Sequence, residues 1–472
     1  MSIRITALYF LILSLSIYAW KDWFKSLCGL ILLMAVIEHP DMPKNLFGIQ
    51  GLNPWNVLFG VIFLAWLVSR VRDGLRWDMP RYIAVLLLIY ISVIVAGVLR
   101  AFFDPGYFAE YPLKSLISEE LINTIKWMIP GILLFDGCRT RKQAVMALVC
   151  LLVLYFLICL QVAKHVPPSA IFSDSGNVEV LRNRIKKMVG YHPNEVAAIL
   201  GGAYWGFIAL LPLIPRKIFK IAVLIAACLI IYALALTGGR TGYAAWGLTG
   251  LILCLIKWRK YLILAPIVVI LLPVIFPGAT QRMLEGFGQV NVSGETIANE
   301  DEITAGRTVA WPYVIDKISE SSLTGYGRLA MRRTGLYDRI EADHPGTGTP
   351  HPHNMYLETL LDNGLIGSLP ILLFWAIVVI HSARLFRSSN RLCSAIGGLS
   401  LALTLNWLIA GIGSQHVYPE EFTFGMWVTL FLMSRVYLEE KKAHRTAIIA
   451  QGYEITHQSF DESMAVIQTY EK

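Results

Sequence analysis

Apolar residues run through this chain in blocks of about the length that crosses a bilayer. The blocks lie near 5–20, 24–38, 55–70, 82–101, 119–136, 143–163, 194–214, 217–237, 241–257, 260–276, 355–382, 391–412 and 420–437. They predict an all-α polytopic membrane protein of 12–13 transmembrane helices. The first two blocks are short enough to form one broken element. The block at 119–136 opens on Glu119, Glu120, Asn123 and Lys126, and a stripe of Leu113, Leu116, Ile117, Leu121 and Ile125 leads into it. That stripe has the spacing of an interfacial helix. Four regions result: an N-terminal bundle of nine or ten spans over 1–276, a large polar segment over 277–354, three spans over 355–437, and a polar tail over 438–472.

Composition agrees with the pattern. Of 472 residues, 56% are hydrophobic and 16% charged, with a mean hydropathy of +0.56. A soluble domain carries roughly 25% charged residues, so this chain lacks the polar surface to cover a soluble body. The formal charge of +8 is explained by where the cations fall. The connectors 21–25, 70–81, 137–142, 215–220, 257–260 and 383–391 each hold two to four Lys and Arg. All fall on one side when the spans alternate, and the positive-inside rule makes that side cytoplasmic. The charge therefore marks loops and predicts no nucleic-acid partner. The long segment late in the chain then faces outward, with the connectors 39–54, 102–118, 164–193, 238–240 and 413–419.

Seven cysteines occur, six in or beside apolar blocks and Cys138 in a basic connector. None falls in the polar segment and no CxxC spacing exists, which argues against a disulfide framework or a zinc site. Met1–Trp20 resembles a signal peptide but lacks a clear small-residue cleavage site, and reads as a retained first helix.

Two features depart from the charge pattern. The outward connector 164–193 carries Lys164, Arg182, Arg184, Lys186 and Lys187, which suit lipid phosphates or loop acids. Arg240 stands in Leu-Thr-Gly-Gly-Arg-Thr-Gly, a glycine turn at a span end. A charge at such a depth is costly without a partner and marks a functional site by default. The polar segment 277–353 holds seven Lys and Arg, including Arg282 and Arg307, against ten Asp and Glu, so it is no basic patch. Gly-Arg-Thr-Val-Ala-Trp at 306–311 predicts a short helix whose Trp311 and Tyr313 rest at the interface. Leu323-Thr324-Gly325-Tyr326-Gly327 is turn-rich, and His351-Pro352-His353-Asn354 runs straight into the next span. The histidine pair suggests a metal, but without a third clustered ligand none is expected. Arg328, Arg332 and Arg333 are expected to pair with loop acids such as Asp338 or Glu341.

Guanidinium groups at the outer edge favour a phosphate or diphosphate, which they bind in a bidentate fork. A histidine beside them can take a proton from a hydroxyl near neutral pH. Together they suit transfer from a lipid diphosphate, arginines stabilising the leaving group. Nucleotide sugars are absent outside the cytoplasm. Consistently, the chain has neither a GxxxxGK[ST] loop nor an Asp-x-Asp pair of the sort that holds a metal–nucleotide.

Four stretches resemble the O-antigen ligase/polymerase superfamily of bacterial integral membrane glycosyltransferases. His351 to Gly367 is similar to its histidine motif. Gly306-Arg307 with Trp311, followed by Leu323 to Gly327, resembles its "GR…W…PLxGxG" stretch. Leu236 to Arg240 resembles its "T-x-S-R" turn, with Gly239 in place of serine. Gly190 to Ala197, containing Asn194, resembles "NPNxxA". The resemblance implies a bundle of about a dozen spans with one large periplasmic loop late in the chain. It implies that Arg240 and Arg307 contact the diphosphate of an undecaprenyl-linked glycan and that His353 is the general base. It further implies substrate contacts from Asn194, Asn354 and Trp311, inversion at the anomeric carbon, and no metal or other cofactor. The His-Asn pair followed by Tyr and Leu favours His353 over His351.

The implied activity is transfer of a glycan to an acceptor hydroxyl at the periplasmic face of the bacterial inner membrane. A ligase uses the lipid A core, a polymerase a second lipid-linked repeat, and a protein O-oligosaccharyltransferase Ser or Thr; the ligase is the first choice. A polysaccharide transporter or flippase would also account for many spans and for polar residues such as Asn123 and Lys126. It predicts internal symmetry, and none is evident.

Overall fold

The computed structural model describes residues 3–46, 48–49, 51–108, 110–167, 175–284, 307–413 and 416–446. Gly306 and the tail beyond 446 lie outside the described residues. Local sequence sets where the helices begin. Asn53 caps α3 (Pro54–Arg72) by accepting from the Asn56 N–H at 2.8 Å, with proline in the first turn. Thr140 and Gln143 form a capping box ahead of α6 (Arg141–His165), and His192 with Glu195 does so ahead of α8 (Pro193–Leu210). The remaining helices are α1 (Ile3–Ala19), α2 (Trp23–Leu33), α4 (Arg81–Phe103), α5 (Ile129–Gly137), α7 (Ser175–Val189), α9 (Lys217–Leu236), α10 (Arg240–Ile256), α11 (Ala265–Ile275), α12 (Arg307–Glu320), α13 (Leu336–Asp343), α14 (Met355–Phe386), α15 (Arg391–Ala410) and α16 (424–446).

The protein is all-α and polytopic, as expected. Among the described residues, seven helices are long and apolar enough to cross a membrane, and α1, α2 with its short extension, and α10 are shorter apolar helices. Two expected spans are broken elements. The block at 119–136 begins as a π-helical stretch, Leu116–Asn123, and resumes as α5. The block at 260–276 is a 3₁₀ stretch, Arg259–Leu264, followed by the short α11 with Pro273 inside it. Large apolar side chains such as Ile218, Ile263, Val269, Ile270, Val274 and Leu369 lie open on the outside of the bundle. Such a surface needs lipid around it.

The centre is α15, packed most extensively on α8 and also on α14 and α10. Small residues allow the approach, as is usual between membrane helices. A Cβ at Gly202 would stand 2.8 Å from the Leu403 Cα, and one at Gly206 2.2 Å from Leu399 Cδ1. Asn406 donates to the Ala198 carbonyl across the same seam at 2.6 Å. Beside it, an aromatic core joins Tyr90, Phe374, Trp375, Trp407 and Trp427, the Trp375 and Trp407 rings 4.6 Å apart.

Connectors expected on one side meet at one end of the bundle. Arg70 and Arg139 converge on the buried Asp136 at 2.5 and 2.8 Å, and Arg435 reaches Asp78 at 2.7 Å.

At the other end, the polar segment folds back on the start of α14. Ala310, Val314, Ala330, Met331, Leu336 and Ile340 form a small core with Leu361. Here α14 breaks: Gly364 has φ 57° and ψ −168°, outside the helical region. The freed backbone groups bond to the turn at 322–327. The Tyr326 and Gly327 N–H groups donate to the Leu361 and Asp362 carbonyls at 2.9 and 2.7 Å, and the Leu365 and Ile366 N–H groups donate to Ser322 and Leu323 at 2.8 and 3.0 Å. Irregular backbone at such a place is tolerated because protein satisfies it. A Cβ at Gly364 would come within 2.4 Å of the Leu323 carbonyl, and one at Gly325 within 2.5 Å of the Gly364 nitrogen. Gly364→Ala adds that clash to a backbone conformation nearly closed to L residues. It is expected to cost about 3 kcal/mol or more, seen as a lowered thermal unfolding midpoint of the purified protein.

Candidate functional site

The glycine turn between α9 and α10 is built by its own residues. The Thr237 hydroxyl donates to the Leu234 carbonyl at 2.7 Å and accepts from the Gly239 N–H at 3.3 Å. Gly238 takes φ 63° and Gly239 precedes Arg240, the first residue of α10. A Cβ at Gly239 would lie 3.0 Å from Ala197 Cβ and 3.4 Å from Asn194 Oδ1. The start of α8 and the start of α10 therefore lean on each other, which brings Asn194 beside Arg240. Arg182 ties the two together, donating to the Thr237 carbonyl and to Asn194 Oδ1, both at 3.2 Å. In the sequence Arg182 is one of several outward cations with lipid or loop acids as partners; here it is part of this wall.

Arg307 opens α12. A Cβ at Gly413 would lie 2.2 Å from Thr241 Cγ2 and 3.6 Å from Arg307 Nη1, so the guanidinium stands close to the first turn of α10. Burial, and then the charge of Arg240, hold the Arg307 guanidinium below its ordinary value. Among the described residues no carboxylate pairs with Arg307, and its Nε is buried without a hydrogen-bond partner. Two cations brought this close suit an anion between them.

The histidine motif arrives from the other side. Asn354 caps α14, its Oδ1 accepting from the Tyr356 and Leu357 N–H groups at 3.0 and 3.2 Å. Trp311 donates from Nε1 to the Pro352 carbonyl at 2.9 Å, and the Met355 N–H donates to Gly411 at 2.7 Å. Both Asn354 and Trp311 thus hold the segment in place. His353 is kept at φ 50°, a conformation uncommon outside glycine, and its Nδ1 is buried without a partner. Burial, then Arg307, His416 and His192, push the His353 imidazole down to about 4. It is neutral at pH 7 and can accept a proton. Arg307 therefore stands within electrostatic reach of Arg240 on one side and of His353 on the other, linking turn, segment and motif.

Behind His353 the rings continue. His351 packs edge-on against His353 with centroids 4.2 Å apart, and against His416 at 4.7 Å. His416 Nδ1 meets Glu358 Oε2 at 2.6 Å. Among the described residues no group of His, Cys, Asp and Glu surrounds a common metal-sized centre. Arg328 does not pair with Asp338 or Glu341. It is buried against Glu120 at 2.7 Å, Asp362 at 3.5 Å and Glu358 at 3.6 Å, with its guanidinium 3.7 Å from the Tyr418 ring. Glu341 instead accepts from the Gly346 and Gly348 N–H groups, both at 2.8 Å, and Arg333 pairs with Asp104 at 3.4 Å. The loop acids are solvated or used as caps. The buried acids, on α14 and the π-helical stretch, need the arginine more.

With this geometry established, two comparisons bear on it. A family model described as O-antigen ligase matches residues 224–372. That range contains Arg240, Arg307, His353, Glu358 and Gly364. A protein of Rickettsia conorii that carries the name "Putative polysaccharide ligase" is 24% identical over 211 residues, 43% of this chain. The match spans 49% of that relative, about half its length. The resemblance read from the four motifs, to the O-antigen ligase superfamily, is borne out by both.

Proposed function

From the O-antigen ligase match of residues 224–372, we propose that this protein is a membrane glycosyltransferase that moves a glycan from undecaprenyl diphosphate to an acceptor hydroxyl at the periplasmic face, with the lipid A core as acceptor. The observation that carries the reading is the approach of Arg240, Arg307 and His353 from three separate parts of the chain.

In the reaction, the acceptor oxygen bonds to the anomeric carbon from the face opposite the diphosphate. The bond from that carbon to the phosphate oxygen breaks, and its electron pair leaves with the diphosphate. The acceptor proton passes to the neutral His353. Arg240 and Arg307 take up the charge that grows on the leaving group, stabilising the transition state more than the ground state. No step calls on a metal.

The experiment is reconstitution of the full chain in nanodiscs with lipid-linked glycan and core lipopolysaccharide extracted from one bacterium. Glycan transferred onto the core supports the ligase reading. A ladder of longer lipid-linked glycans formed without core overturns it in favour of a polymerase, and movement of intact lipid-linked glycan without bond exchange overturns the enzyme reading.

A further inference from the structure

Glu358 and His416 lie 58 residues apart in sequence, and neither belongs to the three residues assigned to the chemistry. Their contact of 2.6 Å joins a buried carboxylate to a part-buried imidazole, among charges of both signs. Glu358 is gripped from its other side by Arg328, itself held by Glu120, Asp362 and the face of Tyr418. Tyr418 donates to Asp362 at 2.8 Å and accepts from Asn363 at 2.9 Å, and Tyr90 donates to the Val417 carbonyl at 2.5 Å. The connector carrying His416 is thus pinned on both sides of residue 417. From there the rings of His416, His351 and His353 follow one another in edge-on contact.

We propose that Glu358 and His416 form a fixed ion pair that positions the His351–His353 motif and that the charge on His416, added to burial and to Arg307, disfavours protonation of the His353 imidazole. The inference rests on the proposed role of His353 as base, but concerns the residues that set its state.

The charge balance around the pair supports a protonated His416. Burial opposes the charge, but Glu358 and Glu420 outweigh it and raise His416 to about 10, although Arg328 works against them. The groups facing His353 are Arg307 from α12, His416 from the connector, His192 ahead of α8, and Glu358 from α14, the last favouring the protonated form. His351, between the two, is pushed down to about 3 by burial and then His416. A neutral ring there separates His416 from His353 without adding charge. The two outer rings are at most about 9 Å apart through it, and over that distance one charge moves a titration by roughly one pH unit at intermediate dielectric.

The test reads His353 directly, without donor or acceptor. Full-length protein in nanodiscs is treated with diethyl pyrocarbonate, which acylates an imidazole in its neutral and not its protonated form, across pH 3.5–8 (roughly the span in which histidine titrates). Modification at His353 is then quantified by peptide mass spectrometry. In His416→Gln the midpoint for His353 is expected to move up by roughly one pH unit. In His416→Lys, which restores a cation beside Glu358, it is expected to return toward that of the unmodified sequence. An unchanged midpoint in a His416→Gln protein that keeps its thermal unfolding midpoint overturns the proposal. So does an equal upward shift in both variants, since that indicates a packing role alone. If His416→Gln does not fold, the Lys variant is compared with His416→Arg: midpoints matching the unmodified protein support the charge role, and raised midpoints reject it. Because the readout is independent of glycan transfer, its failure leaves the transferase reading standing, and loss of that reading leaves this result intact.

Discussion

His353→Ala is expected to lower glycan transfer by about 10²–10⁴-fold, the range by which a positioned general base accelerates proton transfer. The loss should fall on kcat, because the imidazole binds the acceptor proton only as the new bond forms. Folding should survive: the His353 side chain is only partly buried, and the residues that hold its segment are Trp311, Asn354 and Met355, through backbone groups on either side. Removing the side chain also allows φ 50° at position 353 no more easily than histidine does, so a modest stability change of about 1 kcal/mol is expected. The pH dependence follows from the sign of the perturbation. A base held down to about 4 by burial and nearby cations stays unprotonated through the neutral range. The free protein's kcat/KM should therefore be flat from neutral pH downward and fall only as pH approaches 4. Once a diphosphate neutralises Arg307, one of the depressing charges is gone, and the acid limb of kcat should lie at higher pH than that of kcat/KM. Transfer assays of His353→Ala and the unmodified protein across pH check both points. Full activity in the variant would remove His353 from the chemistry and turn attention to His351.

The residues proposed for the chemistry were legible because each sits in a run whose composition is odd for a membrane protein. Arg240 is a charge in a glycine turn at a span end, and His353 closes a polar segment against an apolar one. Helix starts were legible too, since Asn53, Thr140, His192 and Asn390 cap through local hydrogen bonds that need no tertiary partner. What hydropathy could not show is where the backbone leaves the helix inside an apolar block. Gly364 lies in Asp-Asn-Gly-Leu-Ile-Gly, which reads as span, and its break is stabilised by a turn some 40 residues earlier. The same limit hid the partners of Arg328. Loop acids were the nearest in sequence, but Glu120, Glu358 and Asp362 lie on helices that hydropathy treats as bilayer. His416 is a lone histidine in a connector, with no motif around it. Its signal was available only in combination: Glu358 follows His353 by five residues, in the first turn of the helix, and a buried acid there requires a cation from elsewhere.

Arg307→Ala and Arg240→Ala are each expected to reduce transfer by about 10²–10³-fold, the loss seen when a preorganised group facing developing charge is removed. The argument for a large effect is positional. The two cations are pressed together at cost, Arg307 being held below its ordinary value by burial and by Arg240. An anion of more than one charge bound beside Arg307 would relieve that repulsion. The lysine variants separate charge from geometry. Lys keeps the cation but loses the planar fork, so a bidentate contact to phosphate oxygens is lost while general attraction remains. Arg307→Lys should therefore recover part of the ground-state binding, visible as a KM close to that of the unmodified protein, while kcat stays low. Arg240→Lys should behave alike if both guanidiniums act on the leaving group. A variant that raises KM with kcat unchanged would instead assign that arginine to binding the donor uniformly, before and during transfer. The double variant tests whether they act as one unit: a loss no larger than either single change indicates a shared diphosphate clamp, and multiplied losses indicate two independent contacts. Inorganic pyrophosphate supplies an arm that needs no glycan. It should inhibit transfer competitively in the unmodified protein and lose that inhibition in both Ala variants, because each would leave a single guanidinium to hold two phosphates.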